Sequence, residues 1–420
     1  MKFFFPDSQD QVDPSFDFET EERSSLRLRH RDDHYVHEEF TKRTFDGILV
    51  SMAMVEQGRY TLAQKHRLHR MGVRRFFRLD DPEIETMGDC GAFSYAKQEF
   101  PPYSVPDVLS FYEEFGFDYG ISVDHVILGY NLKLDRSNAP AEWKRRQEIT
   151  IDLAAAFLNE HKRRGCKFHP LGVAQGWSPE SYAYAVECLQ KMGYTYVALG
   201  GMVPLKTHEI MACLERLREV RADATQFHLL GVTRCERVRE FGQYGVVSFD
   251  STSPLLQAFK DLKDNYYTLD RTYTALRVPQ VQANPSLLKR ILSGQVNQAE
   301  ARQLEQQCLK VLSSFDKGQA SVEEVLKPLL TYARLYDDRR DQAEAYRETL
   351  TDAPWKNCEC DICKRIGIHV ILFRGAERNR RRGFHNLYVF YNRLHRNLKA
   401  EGNGEAMAVA GAAGSKGGPI

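Results

Sequence analysis

Short apolar runs alternate with amphipathic stretches from residue 47 to residue 254. The runs are GILVSMAMV, VRRFFRLD, YGISVDHVIL, KFHPLGVAQG, YTYVALGG, QFHLLGV and VVSFDS. Between them lie stretches with helical periodicity, such as SVPDVLSFYEEFG and EWKRRQEITIDLAAAFLNEHKRR, and a predicted loop that holds MGDCGAF. Because buried parallel strands read as continuous apolar runs, this alternation predicts parallel strands joined by helical crossovers.

Polar or glycine positions follow several of these runs at the point where each predicted strand ends. They are Asp124, Gln175, the pair Gly200-Gly201, and Asp250. In a closed barrel the carboxyl ends of all the strands meet at one mouth, where catalytic groups belong. A doubly wound open sheet would show the same alternation, but the position of the polar residues favours a (β/α)8 barrel.

Composition is compatible with one large barrel and adds limits on function. The chain has 420 residues, is 42% hydrophobic and has a formal net charge of +1. The net charge does not indicate a nucleic-acid partner, so any basic surface must be local. No apolar run is long enough for a membrane span, and the opening MKFFFP is too short for a secretory signal. We therefore expect a cytoplasmic protein.

Three of the nine cysteines are grouped near the C-terminus, whereas the other six are scattered. Cys358, Cys360 and Cys363 form a C-x-C-x-x-C motif, and tetrahedral zinc needs four such ligands. His369 and His385 are both candidates for the fourth. Incidental cysteines or a redox role are the alternatives. Four protein ligands leave no open position for water, so the pattern favours structural zinc.

These patterns predict an α/β fold: a (β/α)8 TIM-like barrel with a structural zinc site and a helical insertion. Residues after 254 lose the strand–helix alternation and read as mainly helical, and the Gly/Ala-rich end is low in complexity. The predicted parts are an irregular N-terminal extension (1–43), the barrel core (44–254), the helical insertion (255–355), a zinc-binding subdomain with a closing helix (356–400), and a disordered tail (401–420).

Carboxylates at the predicted mouth are candidates for catalysis. Asp250, after VVSF, is placed to attack an anomeric carbon, and Asp89 lies in a glycine-containing loop that can approach a ligand closely. Asp124 could accept hydrogen bonds from a purine N–H edge, and Gln175 could both donate and accept. A single Asp after a strand is more often a helix N-cap, so the predicted catalytic site depends on these residues taken together.

The order of motifs along the chain resembles the tRNA-guanine transglycosylase family. GVAQG, VALGG, HLLGV and SFDS are followed by C-x-C-x-x-C and HNL, a resemblance that covers about residues 47–254 and 356–398. It implies that Asp250 attacks C1′ of the nucleoside and that Asp89 acts as general base on the incoming base. It also implies that the base is bound by Phe93, Asp124, Gln175 and Gly201, with Gly200 beside it. The implied zinc ligands are Cys358, Cys360, Cys363 and His385.

Departures from the family pattern point to a different polymer. The usual Asp-Ser-Gly-Gly is Asp89-Cys90-Gly91-Ala92 here, and STSPLLQAFKDL replaces an arginine-containing stretch after the nucleophile. These departures and the long insertion resemble the DNA-modifying branch, usually called DpdA. The resemblance implies exchange of guanine in DNA for 7-cyano-7-deazaguanine (preQ0). An ATPase partner protein and a homodimer are further expectations.

Clustered basic residues are what phosphate contacts require. We predict a nucleic-acid surface just before His385, where a solvated charged face is the plain alternative. Its residues are Arg378, Arg380, Arg381 and Arg382, with Lys364-Arg365 nearby, and a second cluster comprises His161, Lys162, Arg163, Arg164 and Lys167.

Three rival functions remain open from the sequence. They are a tRNA-guanine transglycosylase, a non-catalytic zinc-bearing subunit that binds nucleic acid, and a barrel glycosidase acting on carbohydrate. The presence of both Asp89 and Asp250 argues against the non-catalytic subunit. The zinc motif and the arginine cluster argue against the glycosidase.

Overall fold

Eight parallel strands close into a barrel in sequential order, which confirms the predicted (β/α)8 fold and rules out the open sheet. The computed structural model describes residues 1–260, 263–337 and 339–399, so the predicted disordered tail (401–420) lies outside the described residues. The barrel strands are β1 (Lys2–Pro6), β2 (Gly47–Ser51), β3 (Glu85–Asp89), β4 (Tyr119–Ile121), β5 (His169–Ala174), β6 (Tyr196–Leu199), β7 (Gln226–Leu229) and β8 (Val246–Asp250).

The first strand corrects the expectation that residues 1–43 form an irregular extension. β1 pairs in parallel with both β2 and β8, so it closes the barrel. Its side chains Phe3, Phe4 and Phe5 are buried. A continuous apolar run is what a doubly covered parallel strand requires. A charged, aperiodic segment separates this short run from the next strand, so the sequence pattern does not reveal it as part of the barrel.

A second correction concerns the region between β2 and β3. The run VRRFFRLD was expected to be a strand, but Phe76 and Phe77 end a helix. Met87–Asp89, expected in a loop, form the end of β3. Period-2 and period-3.6 patterns cannot be separated in so short an apolar run, and only pairing with β2 and β4 identifies the strand.

Helices between the strands begin and end at residues that suit those positions. The side chains of Thr61, Ser104 and Ser178 cap the second, third and fifth helices by accepting hydrogen bonds from backbone N–H groups. The helices associated with the barrel are α1 (Met52–Glu56), α2 (Leu62–Phe76), α3 (Val105–Phe115), α4 (Ala141–Arg164), α5 (Pro179–Met192), α6 (Thr207–Val220) and α7 (Val238–Gln243).

Apolar side chains from all eight strands, with Leu230 directly after β7 counted for that strand, fill the barrel interior. Burial of this kind stabilises the fold by about 25 cal/mol per Å² of apolar surface. The cluster comprises Phe4, Leu49, Met87, Ile121, Leu171, Val173, Tyr196 and Ala198, with Tyr119, Leu230 and Val247 packed against it. The interior is therefore a packed core, and polar groups are concentrated toward the carboxyl ends of the strands.

The described chain divides into two compact units. The barrel unit comprises residues 1–9, 45–252 and the described chain from 393, and the second unit comprises residues 10–44 and 253–392. The remaining elements are α8 (Ser253–Gln257), β9 (Tyr266–Tyr267), β10 (Thr272–Tyr273), β11 (Leu276–Arg277), α9 (Pro285–Leu292), α10 (Gln298–Asp316), α11 (Val322–Tyr336), α12 (Ala343–Asp352), α13 (Asp361–Ile366), β12 (Leu372–Phe373) and α14 (Gly375–Lys399).

The second unit groups segments that the sequence treats separately. It includes most of the N-terminal segment, the predicted helical insertion and the cysteine motif. None of the helices in the described ranges is both long and apolar enough to cross a membrane.

Candidate active site and metal centre

The polar residues predicted at the barrel mouth do follow the carboxyl ends of different strands. Asp89 and Asp250 are the last residues of β3 and β8. Gln175 directly follows β5, Gly200 directly follows β6, and Asp124 comes three residues after β4. Closure of the barrel brings these strand ends to one mouth, which local sequence patterns cannot do.

Asp89 lies half-buried at the end of β3 among other carboxylates. Burial, together with the negative charges of Asp124 and Asp250, raises the pKa of Asp89 to about 7, although backbone N–H groups oppose the shift. One of those groups is Gly91 N–H, which donates to Asp89 Oδ2 at 2.9 Å. At neutral pH this carboxyl group can therefore both give and take a proton.

The loop after Asp89 requires glycine. Gly91 has a φ of +85°, and a Cβ there would lie 2.3 Å from Ser51 Oγ and 2.6 Å from Ala53 Cβ. Only glycine adopts this conformation without strain and leaves room for the neighbouring strand end. The tight turn places the Gly91 N–H against the Asp89 carboxylate.

Asp124 and Gln175 form a buried pair. Gln175 Nε2 donates to Asp124 Oδ2 at 2.6 Å, and Gln175 Oε1 accepts from Ile127 N–H at 3.1 Å. The Cys90 thiol donates to Asp124 Oδ1 at 3.2 Å and lies 2.9 Å from the hydroxyl of Tyr95. Burial raises the pKa of Asp124 to about 6, although the hydrogen bonds from Cys90 and Gln175 oppose the shift.

The thiol that replaces the family's serine therefore contacts Asp124 from the buried side. Cys90 is fully buried, and burial raises the pKa of its thiol. A neutral thiol is a donor to the Asp124 carboxylate, so Cys90 orients that carboxylate. The sequence alone indicated only that cysteine stands where the family has serine.

The Gly200-Gly201 pair allows backbone to approach the Asp124–Gln175 pair closely. A Cβ at Gly200 would lie 2.2 Å from Gln175 Nε2, and one at Gly201 would lie 2.4 Å from Ile127 O. Gly201 also has a φ of +72°. Neither glycine has room for a side chain, so a flat heterocycle could meet only backbone at these two positions.

Asp250 is buried at the end of β8 and is held through one oxygen. Its Oδ1 accepts from Gly231 N–H at 2.9 Å and lies 3.2 Å from His228 Nε2. Among the described residues, no hydrogen bond engages Asp250 Oδ2. The two carboxylate oxygens are therefore distinct, one held and one available.

Phe93 lies in the short turn Ala92–Tyr95 after Asp89. Its side chain is 53% exposed, unusual for phenylalanine. About half of the Phe93 surface is therefore accessible to a planar ligand.

Sequence reasoning missed the groups that hold the site residues from behind. His228 and Ser248 lie on adjacent strands opposite one another, and Tyr95 contacts Cys90. His228 stood inside the HLLGV motif, but an apolar run with one histidine gives no sign of what faces it. The register of β7 against β8 supplies that information.

In the second unit, Cys358, Cys360, Cys363 and His385 form a cluster that could hold a metal ion. Their ligand atoms all lie within 4.8 Å of one another. His385 Nδ1 lies 3.6, 3.4 and 3.4 Å from the three sulfurs in that order. Ligands at zinc distances around a tetrahedral ion stand roughly 3.5 Å apart, so the donors fit such an ion.

Neighbouring groups orient the histidine for this role. His385 Nε2 donates to the Tyr267 carbonyl oxygen at 2.8 Å, which leaves Nδ1 as the ligand atom. The Tyr266 ring stacks on His385 with centroids 4.1 Å apart, and its hydroxyl lies 3.3 Å from Cys363 Sγ. His369, the other candidate, is instead near Glu19, at 3.3 Å.

The arginine cluster before His385 does not form an exposed phosphate-binding surface. Arg378, Arg381 and Arg382 are buried, and Arg380 is partly buried near Asp10. Arg378 pairs with Glu21, and Arg381 donates to Glu377 Oε2 at 2.8 Å. The prediction of a nucleic-acid surface is wrong for these arginines because they are buried inside the unit. Their guanidinium groups donate to carboxylates and carbonyl oxygens of the same chain.

The second basic cluster lies at the end of the barrel unit opposite the mouth. Its first four residues form the C-terminal turn of α4, and Lys167 lies in the short connection between α4 and β5. Arg163 and Arg164 both pair with Glu160. Since the parallel strands run toward the mouth, residues that precede β5 are remote from Asp89 and Asp250.

Comparison with known proteins agrees with this arrangement. No family model matches the chain. A protein from Salmonella montevideo described as a DNA-guanine transglycosylase is 49% identical over 409 residues, which cover 95% of this chain and 97% of that protein. Identity of this extent over nearly the whole length includes both units. The chain therefore belongs to the DNA-guanine transglycosylases, the DNA-modifying branch of the tRNA-guanine transglycosylase family.

Proposed function

We propose that this protein exchanges guanine in DNA for a 7-deazaguanine base, 7-cyano-7-deazaguanine (preQ0), by double displacement at C1′. The observation that carries the proposal is the pair of carboxylates at the barrel mouth. Asp250 has a free oxygen, and Asp89 has a pKa raised to about 7 by burial and by neighbouring carboxylates. A nucleophile beside an acid–base group is the arrangement that retaining glycosyl transfer uses.

In the first half-reaction Asp250 Oδ2 attacks C1′ of the target nucleotide. The bond from C1′ to N9 breaks, and its electron pair leaves with the guanine. Protonated Asp89 supplies the proton that makes the leaving base neutral. The products are an ester between Asp250 and deoxyribose, free guanine, and ionised Asp89.

In the second half-reaction the incoming base replaces guanine. Asp89 takes the proton from N9–H of the 7-deazaguanine, and N9 forms a new bond to C1′. The ester bond to Asp250 breaks, and its electron pair returns to the carboxylate. Phe93 stacks on each base, and Asp124, Gln175 and the backbone at Gly200-Gly201 hold its polar edge.

DNA is favoured over tRNA as the polymer by the description of the relative from Salmonella montevideo. A guanine within a duplex must leave the base stack to reach a buried carboxylate at a barrel mouth. Retention of Asp89 and Asp250 together favours an active enzyme over a non-catalytic subunit.

We also propose that the metal held by the Cys3His cluster is structural Zn²⁺. Three thiolates and one imidazole are ligands that zinc prefers, and four protein ligands complete a tetrahedral shell. The metal would stabilise the second unit and takes no part in the exchange. Metal analysis of the purified protein should find about one zinc per chain, and a protein that folds fully without metal would contradict this role.

The direct test follows labelled guanine into polymer and traps the covalent intermediate. Wild-type protein incubated with DNA should give an adduct that survives denaturation, and Asp250→Ala should give none. Asp89→Asn should form adduct slowly because its side chain cannot donate a proton as a carboxylic acid does. An active Asp250→Ala variant, or exchange into tRNA with none into DNA, would refute the proposal.

The identity of the incoming base is tested separately. Nucleoside mass analysis of DNA from cells with and without the protein should show a 7-cyano-7-deazaguanine nucleoside only when the protein and a supply of the base are present. The Asp250→Ala variant is the matched control. Detection of a different modified purine would keep the chemistry and replace the substrate.

A further inference from the structure

Behind Asp250, three buried side chains form a hydrogen-bonded chain through the barrel interior. His228 Nε2 lies 3.2 Å from Asp250 Oδ1, and His228 Nδ1 lies 2.5 Å from Ser248 Oγ. The hydroxyl of Tyr196 in turn contacts Ser248 Oγ. His228 and Ser248 are fully buried, and Tyr196 is 7% exposed. The double displacement described above gives none of the three a role.

The positions of the hydrogens follow from what each group can do. An ionised Asp250 only accepts, so His228 carries its hydrogen on Nε2. Neutral His228 then accepts at Nδ1 from the Ser248 hydroxyl, and Ser248 accepts from Tyr196. With this direction all three hydrogens are used, whereas the reverse direction leaves the Tyr196 hydroxyl without an acceptor in this chain of contacts.

An irregularity in the sheet brings these groups into line. The register between β7 and β8 shifts between Phe227 and His228, so that Phe227 pairs with Val246 but His228 pairs with Ser248. The extra residue, Val247, packs against the apolar interior. Bulges of this kind re-aim side chains next to active sites. Here the shift sets Ser248 opposite His228, two residues before Asp250.

We infer that His228 is a positioning residue that holds Asp250 Oδ1 and speeds breakdown of the covalent intermediate. This inference rests on the function proposed above. In the oxocarbenium-like transition states of both half-reactions, the Asp250 carboxylate carries most of its negative charge. The hydrogen bond from His228 is thus about equally strong in free enzyme and first transition state, but weaker in the ester.

A group that stabilises a transition state more than the state before it accelerates that step. His228 therefore acts mainly on the second half-reaction, in which a neutral ester becomes a carboxylate. Ser248 and Tyr196 act through His228, because they fix its tautomer and its ring. Gly231 N–H donates to the same oxygen and would share this effect.

The test compares formation and decay of the adduct in rapid-quench experiments with DNA and free guanine. In His228→Leu, decay should slow about 10- to 100-fold, the range for a hydrogen bond to a charged group, so adduct accumulates. Formation should change less than about threefold. His228→Gln, whose amide N–H can occupy the position of Nε2–H, should restore part of the decay rate.

Two further variants test whether the slowing of adduct decay falls off with distance from Asp250. Thermal unfolding of each protein checks that it is folded. Ser248→Ala should slow decay less than His228→Leu does, and Tyr196→Phe should have the smallest effect. A purely structural role would slow formation and decay equally, and that result, or unchanged decay in His228→Leu, would overturn the inference. If wild-type protein forms no adduct at Asp250, the proposed function itself fails, which is a distinguishable outcome.

Discussion

Asp89 shows at the scale of one residue how function and stability compete. Its carboxyl group keeps a proton near neutral pH because burial and the charges of Asp124 and Asp250 oppose ionisation. The folded protein therefore binds this proton more tightly than the unfolded chain, whose aspartates ionise near pH 4. Between about pH 4 and pH 7 the unfolded state has lost the proton and the folded state has kept it, so the free energy of unfolding falls as pH rises.

We predict that Asp89→Asn removes this pH dependence. The variant should gain stability relative to wild type as pH rises from 4 to 8, on the order of 2 kcal/mol once solvent screening is allowed for. Urea unfolding at several pH values measures the difference. Asp124→Asn is a useful comparison because the pKa of Asp124 is raised only to about 6. The pH range over which this residue changes the free energy of unfolding should therefore end at a lower pH. A difference that does not vary with pH would contradict the prediction.

Gly201 provides a second test at the residue scale. Its φ is +72°, and an added Cβ would lie 2.4 Å from Ile127 O. Gly116 at the end of α3 has the same φ, but a Cβ there meets nothing within 4 Å. Gly116→Ala should cost about 1 kcal/mol from backbone strain alone. Gly201→Ala should cost at least about 2 kcal/mol and weaken binding of free guanine; equal costs would mean that the close approach is unimportant.

At the scale of an element, the helix α14 shows that a cluster of arginines in the sequence does not reveal whether their side chains are exposed or buried. Arg378, Arg381, Arg382 and His385 are spaced i, i+3, i+4 and i+7, so they share one helical face. The face that carries the metal ligand is buried, and the three arginines are buried with it. Helical spacing from His385 was the signal in the sequence that could have separated them from a surface cluster.

We predict that Arg382 contributes to stability. It donates to the carbonyl oxygens of Leu372 at 2.9 Å and Ala258 at 2.6 Å. Burial lowers the pKa of Arg382 to about 9, which still leaves the guanidinium charged. Arg382→Met should cost about 3 kcal/mol because buried carbonyls lose their donor.

Arg380→Met is the matched control, since that side chain is 29% exposed and 3.5 Å from Asp10. It should change the free energy of unfolding by about 0.5 kcal/mol or less. Chemical unfolding of both variants gives the comparison. A stable Arg382→Met variant with weakened DNA binding would restore the original expectation of a phosphate contact.

At the scale of the whole molecule, the chain comprises two units with different sources of stability. The barrel unit has a large apolar interior, whereas the second unit contains the Cys3His cluster. Binding of metal to a site that the unfolded chain lacks adds directly to folding free energy. The two units are therefore expected to respond differently to loss of metal.

We predict that a strong chelator lowers the unfolding temperature of one transition and leaves a second nearly unchanged. Differential scanning calorimetry with and without chelator measures this. Cys360→Ser should lower the same transition and abolish the response to chelator. Cys308→Ser, a buried thiol of the same unit outside the cluster, should keep the response. A single transition that ignores chelator in the wild-type protein would rule out a structural metal.

The sequence by itself determined the alternation that produces the barrel, the metal-binding motif, and the residue types available for glycosyl transfer. Those features are local, since apolar periodicity, C-x-C-x-x-C spacing and a strand-ending Asp are each contained in a few residues. The sequence pattern did not predict β1, because a run of five residues followed by a charged segment shows no periodicity. The resemblance to a family then linked motifs that lie far apart in the chain.

Tertiary structure decided which of these residues meet. Barrel closure brings Asp89 and Asp250 close enough for the charge of one to raise the pKa of the other. The shifted register of β8 puts Ser248 against His228, and burial turns an apparent arginine surface into internal ion pairs. Proximity, burial and register depend on contacts between residues distant in sequence, and those contacts exist only once the whole chain has folded.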